Sequence, residues 1–339
     1  RGYTTAGSFL RYLLDTYGAA PLRALYRSGG DFAGAYGVPL ATLEAGWRTM
    51  IGKIELPAGS AEAQRERFRG VSVFARPCPH AIAARRDQAA QALGRGDRQA
   101  AIDLLRVVCD ESSDEPRHQL ELGDLLAAGD PIDRARGVAI WTALAGDAER
   151  VTSTLRVEIL ERLAREAAGR GDRASVAARI RDASALPIDS NERRQLDAEV
   201  FALAHRGPAA EPLYNYFFAP GFGAGETLML ARAAVAAEPD LGFAHYLLGL
   251  QHGVAGAWTD AAAELSRAID LGLPGAPFVR NAARRLAIAA YRGHDLAGVG
   301  KAIATLRGPQ MVTPDRLLAL DWQNRLDFDA GKPVAPPVP

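Results

Sequence analysis

The chain has 339 residues, more than one simple core needs and enough for two or three domains. Apolar residues make up 48% and charged residues 24%, an ordinary globular balance, and Lys plus Arg equals Asp plus Glu at 40 each. That zero net charge argues against nucleic acid or a membrane surface as the main partner, and no apolar run reaches the ~18–20 residues a membrane span needs.

Only Lys53, Lys301 and Lys332 among the basic residues are lysines, a bias that, with abundant Ala and Gly, resembles GC-rich bacterial coding. The chain opens on Arg1 rather than Met and is expected to be the downstream piece of a longer protein, so missing targeting signals say little.

Residues 1–56 read as a small helical subdomain. Phe9, Leu10, Leu13 and Leu14 fall at helical spacing between Thr5 and Tyr17, and Gly18 stops that helix. A second helix runs from Ala20 to Tyr26 and ends at Ser28-Gly29-Gly30. A short stretch, Asp31 to Tyr36, leads to Gly37, and a third helix from Pro39 to Ile51 carries Leu40, Leu43, Trp47 and Met50. Residues 57–79 lack periodicity and hold Pro57, Pro77 and Pro79. They read as a linker with one short strand around Val71 to Phe74.

From residue 80 the pattern changes to helices of twelve to sixteen residues separated by short Gly-Asp turns. Gly94-Arg-Gly-Asp-Arg98 recurs verbatim at Gly169-Arg-Gly-Asp-Arg173, with a relative at Arg292-Gly-His-Asp295. Recurring turns between amphipathic helices mark a helical repeat, and turn chemistry accounts for the Arg-Gly-Asp triplets without adhesion. Between Leu241 and Pro274, Leu248-Gly249 sit in a first helix, Ala261, Leu265 and Ala268 in a second, and Pro274 closes. Leu122-Gly123 with Ala135 make another copy. Ala89 with Ala101 and Leu105, and Ala164 with Leu163, Ile180 and Ala198, fall in register at steps of 34. The small residues let paired helices approach closely and the large ones fill the gaps between pairs.

This resembles the tetratricopeptide repeat, with His245 and His252 in place of the expected aromatics. The resemblance implies an all-α, tetratricopeptide-like α-solenoid over residues 80–206 and 226–308, interrupted at 207–225. A capping helix at 309–330 and a disordered tail at 331–339 follow. In the interruption Tyr214, Tyr216, Phe217, Phe218 and Phe222 crowd nine positions, as a plug between helices or a contact patch, and the plug is favoured. First helices of such arrays line a binding face. Arg86, Leu120, Asp124, Glu161, Arg165, Tyr246 and Leu250 are expected on it, facing a protein or peptide. The Lys/Asn set that clamps a terminal carboxylate in chaperone cofactors is not matched.

Cys78 lies just before one predicted helix and Cys109 near the end of the next, ends that an antiparallel hairpin brings together. Either they form a disulfide, closing a loop worth roughly 3–4 kcal/mol in an oxidising compartment, or they are two thiols with Cys109 buried as a small hydrophobe.

Tyr3-x-x-Ala6-Gly7-Ser8-Phe9-x-Arg11-Tyr12-Leu13, Tyr17-Gly18, Leu22-Arg23-x-Leu25-Tyr26, Asp31-Phe32 and Leu43-x-x-x-Trp47 together resemble the C-terminal helices of gluzincin (peptidase-MA-like) zinc metallopeptidases. That resemblance covers about a sixth of the chain. It implies a bacterial cell-envelope, periplasmic or secreted peptidase whose His-Glu-x-x-His zinc helix lies upstream of Arg1. No His-Glu pair exists here, and His80, His118, His205, His245, His252 and His294 offer no i, i+4 pair, so no metal ligand or cofactor is expected in this chain. Tyr3 stands where the family places a Tyr that donates to the oxyanion, its alternative being a helix-entry aromatic. The rival readings are a pure scaffold with a degenerate peptidase-like head, and a structural repeat protein with an unrelated one.

Overall fold

A computed structural model describes residues 2–54, 59–67, 78–219, 224–309 and 311–332. Among them are nineteen helices and no strand. In chain order they are α1 (Gly2–Tyr17), α2 (Ala19–Arg27), α3 (Phe32–Tyr36), α4 (Leu40–Gly52), α5 (Ser60–Arg67), α6 (Pro79–Gly94) and α7 (Arg98–Glu111). There follow α8 (Pro116–Ala127), α9 (Pro131–Gly146), α10 (Ser153–Gly169), α11 (Arg173–Ser184), α12 (Ser190–Ala204) and α13 (Ala210–Phe218). The last are α14 (Ala224–Ala237), α15 (Gly242–Val254), α16 (Trp258–Leu271), α17 (Ala276–Arg292), α18 (Leu296–Leu306) and α19 (Thr313–Asp329). The strand expected around Val71 to Phe74 lies outside the described residues. Helix α5 falls inside the stretch read as linker; its sequence, Ser-Ala-Glu-Ala-Gln-Arg-Glu-Arg, has no apolar stripe to betray it. The chain divides into two compact units, residues 1–56 with 323–339, and residues 57–322.

In the first unit Tyr12, Leu13 and Leu43 form the buried centre, with Phe9, Phe32, Tyr36, Trp47 and Met50 against it. The Trp47 indole donates to Ser8 Oγ at 3.1 Å, tying α4 to α1. Gly18, at φ 81°, ends α1 where a residue with a Cβ would be strained.

The second unit is an array of helix pairs: α6/α7, α8/α9, α10/α11, α13/α14, α15/α16 and α17/α18. The turns have one chemistry. Gly96 and Gly171 take left-handed backbone at φ 81° and 74°. Asp97 and Asp172 then accept the amides of Ala100 and Ser175, capping α7 and α11. Asp295 caps α18 the same way after His294, the one non-glycine residue at positive φ among those described. Small residues stand where helices meet: Ala89, Ala101, Ala164, Ala261 and Ala268 are all buried. Ala135 is a correction. It is exposed, and the buried small residue of α9 is Gly137, because the face α9 turns to α8 carries Gly137, Trp141 and Leu144.

Helix α12 has no hairpin partner. It lies between the third and fourth pairs in sequence and contacts α11, α13 and α17. The aromatic run splits around it. Tyr214 and Phe218 bury against Ala164, Ala167, Val176 and Ile180, as a plug does. Tyr216 is half-buried and accepts from Gln251 Nε2 at 2.6 Å, and Phe222 lies outside the described residues.

Candidate protein-interaction site

Gly123 and Gly137 let α8 and α9 close so tightly that a Cβ on Gly137 would lie 2.5 Å from the Gly123 carbonyl oxygen. That approach carries the Trp141 indole to Asp124, where Nε1 donates to Oδ1 at 3.1 Å. Arg162 on α10 completes the junction, donating from Nε and Nη2 to Asp124 Oδ1 and Oδ2 at 2.8 and 3.0 Å. A fork of this kind fixes both orientation and distance. Beside it opens a cavity of about 720 Å³ lined by Asp124, Arg134, Trp141, Arg162, Arg165 and Arg170.

A second cavity, of about 400 Å³, lies between α6 and α8 and is lined by Ile82, Arg86, Ser112, His118 and Glu121. Arg86 forks onto Glu121, with Nε at 2.9 Å from Oε2 and Nη2 closing on Oε1. Ser112 and His118 meet at 2.6 Å, but the buried serine hydroxyl donates to the Val108 carbonyl at 2.6 Å. The ring nitrogen therefore donates to Ser112, which excludes the pair as nucleophile and base in this arrangement. Burial lowers the pKa of His118.

Further along, Glu161 and Arg165 on α10 face α12. Gln195 Nε2 donates to Glu161 Oε1 at 3.4 Å, and Arg165 Nη2 stands 3.5 Å from Glu161 Oε2 and 3.7 Å from Glu199 Oε1. Glu199 is 1% exposed, and its Oε2 has no hydrogen-bond partner among the described residues.

Of the residues expected on an open face, Arg86, Asp124 and Arg165 line cavities, Glu161 is mostly buried beneath α12, and Leu250 is half-buried. Leu120 and Tyr246 are corrections. Leu120 is 2% exposed inside the cluster of Trp141, Leu144 and Leu155, because α8 turns it toward α9 and α10. Tyr246 is 3% exposed, its hydroxyl donating to Asn281 Oδ1 at 2.9 Å and its ring edge-on to Phe278. The side chain of Tyr3 lies outside the described residues, though its backbone is in the first turn of α1. Cys78 and Cys109 are free, which corrects the disulfide: Cys78 is exposed ahead of α6, and Cys109 packs on the α6–α8 core.

Histidines are used singly. His205 bonds Glu238 at 2.8 Å, and His245 sits between Glu264 at 2.5 Å and the Pro239 carbonyl at 2.8 Å. Among the described residues no three His, Cys, Asp or Glu side chains are placed to hold a metal ion, and no helix is long and apolar enough to cross a membrane.

Periodicity alone missed Trp141, Arg162, Arg170 and Glu199. Two of these had a signal. Gln195 and Glu199 follow Glu161 and Arg165 by 34 residues, the array's own period, and Arg170 closes a series of Glu/Arg pairs at i, i+4 along α10.

No protein-family model matches the chain, and no curated protein matches it. Among solved structures it is similar to the MamA RS-1 ArsTM double mutant, at 14% identity over 73% of this chain and 97% of that one, TM-score 0.22. It is similar to the TPR2AB-domain:pHSP90 complex of yeast Sti1 at 11% identity, over 75% and 97%, TM-score 0.28. It is also similar to PilW, a widely conserved type IV pilus biogenesis factor, at 12% identity over 69% and 98%, TM-score 0.26. At these scores the fold stands on the chain's own paired helices, capped turns and buried small residues. They make it an all-α, tetratricopeptide-like array.

Proposed function

We propose that the chain is a protein-interaction scaffold whose cleft between α8 and α10 takes an acidic segment of a protein or peptide partner. The observation that carries this is the cavity lining. Four guanidinium groups, from Arg134, Arg162, Arg165 and Arg170, line the cleft beside the Trp141 indole with the carboxylates of Asp124 and Glu166; Arg162 is held by Asp124, and Arg165 by Glu161 and Glu199. Guanidinium forks match carboxylates two bonds at a time and stack on aromatic faces. Arg134 makes a long 3.4 Å bond to the Ala127 carbonyl, and Arg170 pairs with Glu166 at the exposed end of α10. These two are the cations a partner's carboxylates engage with least loss. The test is fluorescence anisotropy with a labelled decapeptide rich in Asp and Glu, against a Lys/Arg counterpart. The acidic peptide is expected to bind, to weaken with added salt, and to lose ~10-fold or more in the Arg134→Glu, Arg170→Glu double variant. Equal binding of the two peptides would sink the reading.

The head's resemblance to gluzincins extends the reading to a longer protein of the bacterial cell envelope, periplasm or surroundings, with a zinc peptidase domain upstream. Its support is the residue set, part of which also builds the head's core: Phe9, Tyr12, Leu13, Phe32, Leu43 and Trp47. Among the described residues no side chains are placed to hold a zinc ion. An intact His-Glu-x-x-His in the sequence upstream of Arg1 supports a peptidase parent; its degeneration favours a pure scaffold.

A further inference from the structure

Helix α12 contacts its sequence neighbours α11 and α13 more sparsely than the paired helices contact each other, yet it is buried along two further faces. One face meets the third pair: Leu196 joins the cluster of Leu160 and Leu163, and Leu203 packs against Ala164 and Ala167. The other meets the fifth pair: the Phe201 ring lies 4.5 Å from that of Phe243, and Arg194 hydrogen-bonds Tyr246. The helix also packs on α17. Residues 195 and 199 meet 161 and 165 in the same order, so α12 runs parallel to α10. Residues 194, 201 and 205 meet 246, 243 and 238 in reverse order, so it runs antiparallel to α15. Three residues expected to face a partner, Glu161, Arg165 and Tyr246, all touch this one helix.

The seat is imperfect at a particular point. Glu199 enters a buried position already held by Glu161, and the two carboxylates share Arg165. One oxygen of Glu199 has no partner among the described residues. A buried polar atom without a partner is destabilising, and the neighbouring Glu161 carboxyl adds to the cost of ionising Glu199. The chain on either side of the helix is irregular, over 185–189 and 205–209, with Ile188 and Ala209 buried and His205 bonded to Glu238.

We propose that α12 is a self-docked, displaceable helix that closes the face formed by α10, α15 and α17. The partner that opens this face is an amphipathic helix carrying an amide or a cation where α12 carries Glu199. Such a helix keeps the aromatic contact with Phe243 and answers Glu161 with a donor instead of a second carboxylate. Because α12 is tethered, it competes at high effective concentration and holds the face closed until a better-matched helix arrives. The inference does not depend on the acidic-peptide cleft: Arg165 lies at the edge of both, but the two are read by different probes.

The test uses the full chain. By native-state hydrogen exchange, amides of α12 are expected to exchange at least ~10-fold faster than those of α10 and α15, through local opening. Exchange of α12 at the same rate as its neighbours overturns the proposal. A second arm needs a ligand: a labelled synthetic peptide of residues 189–206 carrying Glu199→Gln. It is expected to bind the Arg194→Ala, Phe201→Ala double variant, whose own α12 is loosened, and wild type ~10-fold or more weakly. Binding to neither protein, or equally to both, overturns the proposal as well. The exchange arm on wild type stands even if the double variant does not fold.

Discussion

Glu161 and Glu199 meet over one guanidinium, that of Arg165. Burial, and then the charge of Glu161, push the Glu199 carboxyl up to about 8. Burial also raises Glu161, against the pull of Arg165 and Arg162 and with the push of Glu158. A carboxyl whose folded-state pKa exceeds its unfolded value near ~4.3 makes the folded protein bind more protons between the two values. Its contribution is therefore fully present below the unfolded value, falls as pH rises between the two, and is lost above about 8. The urea midpoint is expected to be higher at mildly acid pH than at alkaline pH, and Glu199→Gln to flatten that slope. A midpoint that rises with pH by the same amount in both proteins would show that other groups dominate. Cys109 offers a second residue-level reading. Burial, with the charges of Asp110 and Glu121 behind it, raises its thiol to about 11, while Cys78 is exposed. A thiol reagent at mildly alkaline pH is expected to modify Cys78 quickly and Cys109 only on unfolding. Absence of any free thiol in the unfolded, unreduced chain would restore the disulfide.

At the scale of elements, the turns and the helix contacts were readable for different reasons. Each Gly-Asp turn states its geometry locally: a glycine supplies left-handed backbone and the following aspartate caps the next helix. Asp97 and Asp172 do what their sequence context says. The pair α15/α16 was readable because Gly249, Ala261 and Leu265 hold the repeat's spacing, with Leu265 where a Cβ on Gly249 would sit. The pair α8/α9 was misread by two residues because two small residues, Ala135 and Gly137, compete for one role and periodicity does not rank them. Only packing does. A Cβ at Gly137 would stand 2.5 Å from the Gly123 oxygen and 2.6 Å from the Ala127 nitrogen, both backbone atoms that cannot turn aside. Gly137→Ala is expected to cost about 1–3 kcal/mol by forcing the helices apart. Gly146→Ala, in the same helix but meeting nothing within 4 Å, is expected to be neutral or to gain up to ~1 kcal/mol of helix propensity. Thermal melts of the two variants compare them directly, and equal shifts would mean α8 and α9 are looser than this contact implies. Helix α12 and the arginine cleft were the least readable. Their meaning comes from residues far apart in sequence, Phe201 with Phe243 and Asp124 with Arg162, which no local pattern joins.

In a stacked array each pair leans on its neighbours, so stability spreads by contact rather than through one central core. The second unit modifies that rule, because α12 ties the third pair to the fifth and sixth. Asp315, at the start of α19, tests how far a lesion travels. Its carboxylate is fully buried, with Arg284 Nε at 3.1 Å, Arg280 at 3.6 Å and the Val312 amide at 3.3 Å. Asp315→Ala removes the acceptor from two guanidinium groups at once. The cost of breaking such a pair is about 3–5 kcal/mol when both ions are buried. It is expected near or below the bottom of that range here, since the Arg284 side chain is 42% exposed and water answers part of its charge. The loss is expected to appear first in hydrogen exchange of α17, whose Arg284 and Tyr291 meet Asp315 and Trp322 of α19. It should reach α12 next, through its contact with α17, while α6 to α9 keep their protection. If protection falls evenly from α6 to α18, the unit melts as one body and α12 is not the link that carries the disturbance. If the loss stops at α17 with α12 unaffected, the contact between those two helices bears little load, and the closed face is held by α10 and α15 alone.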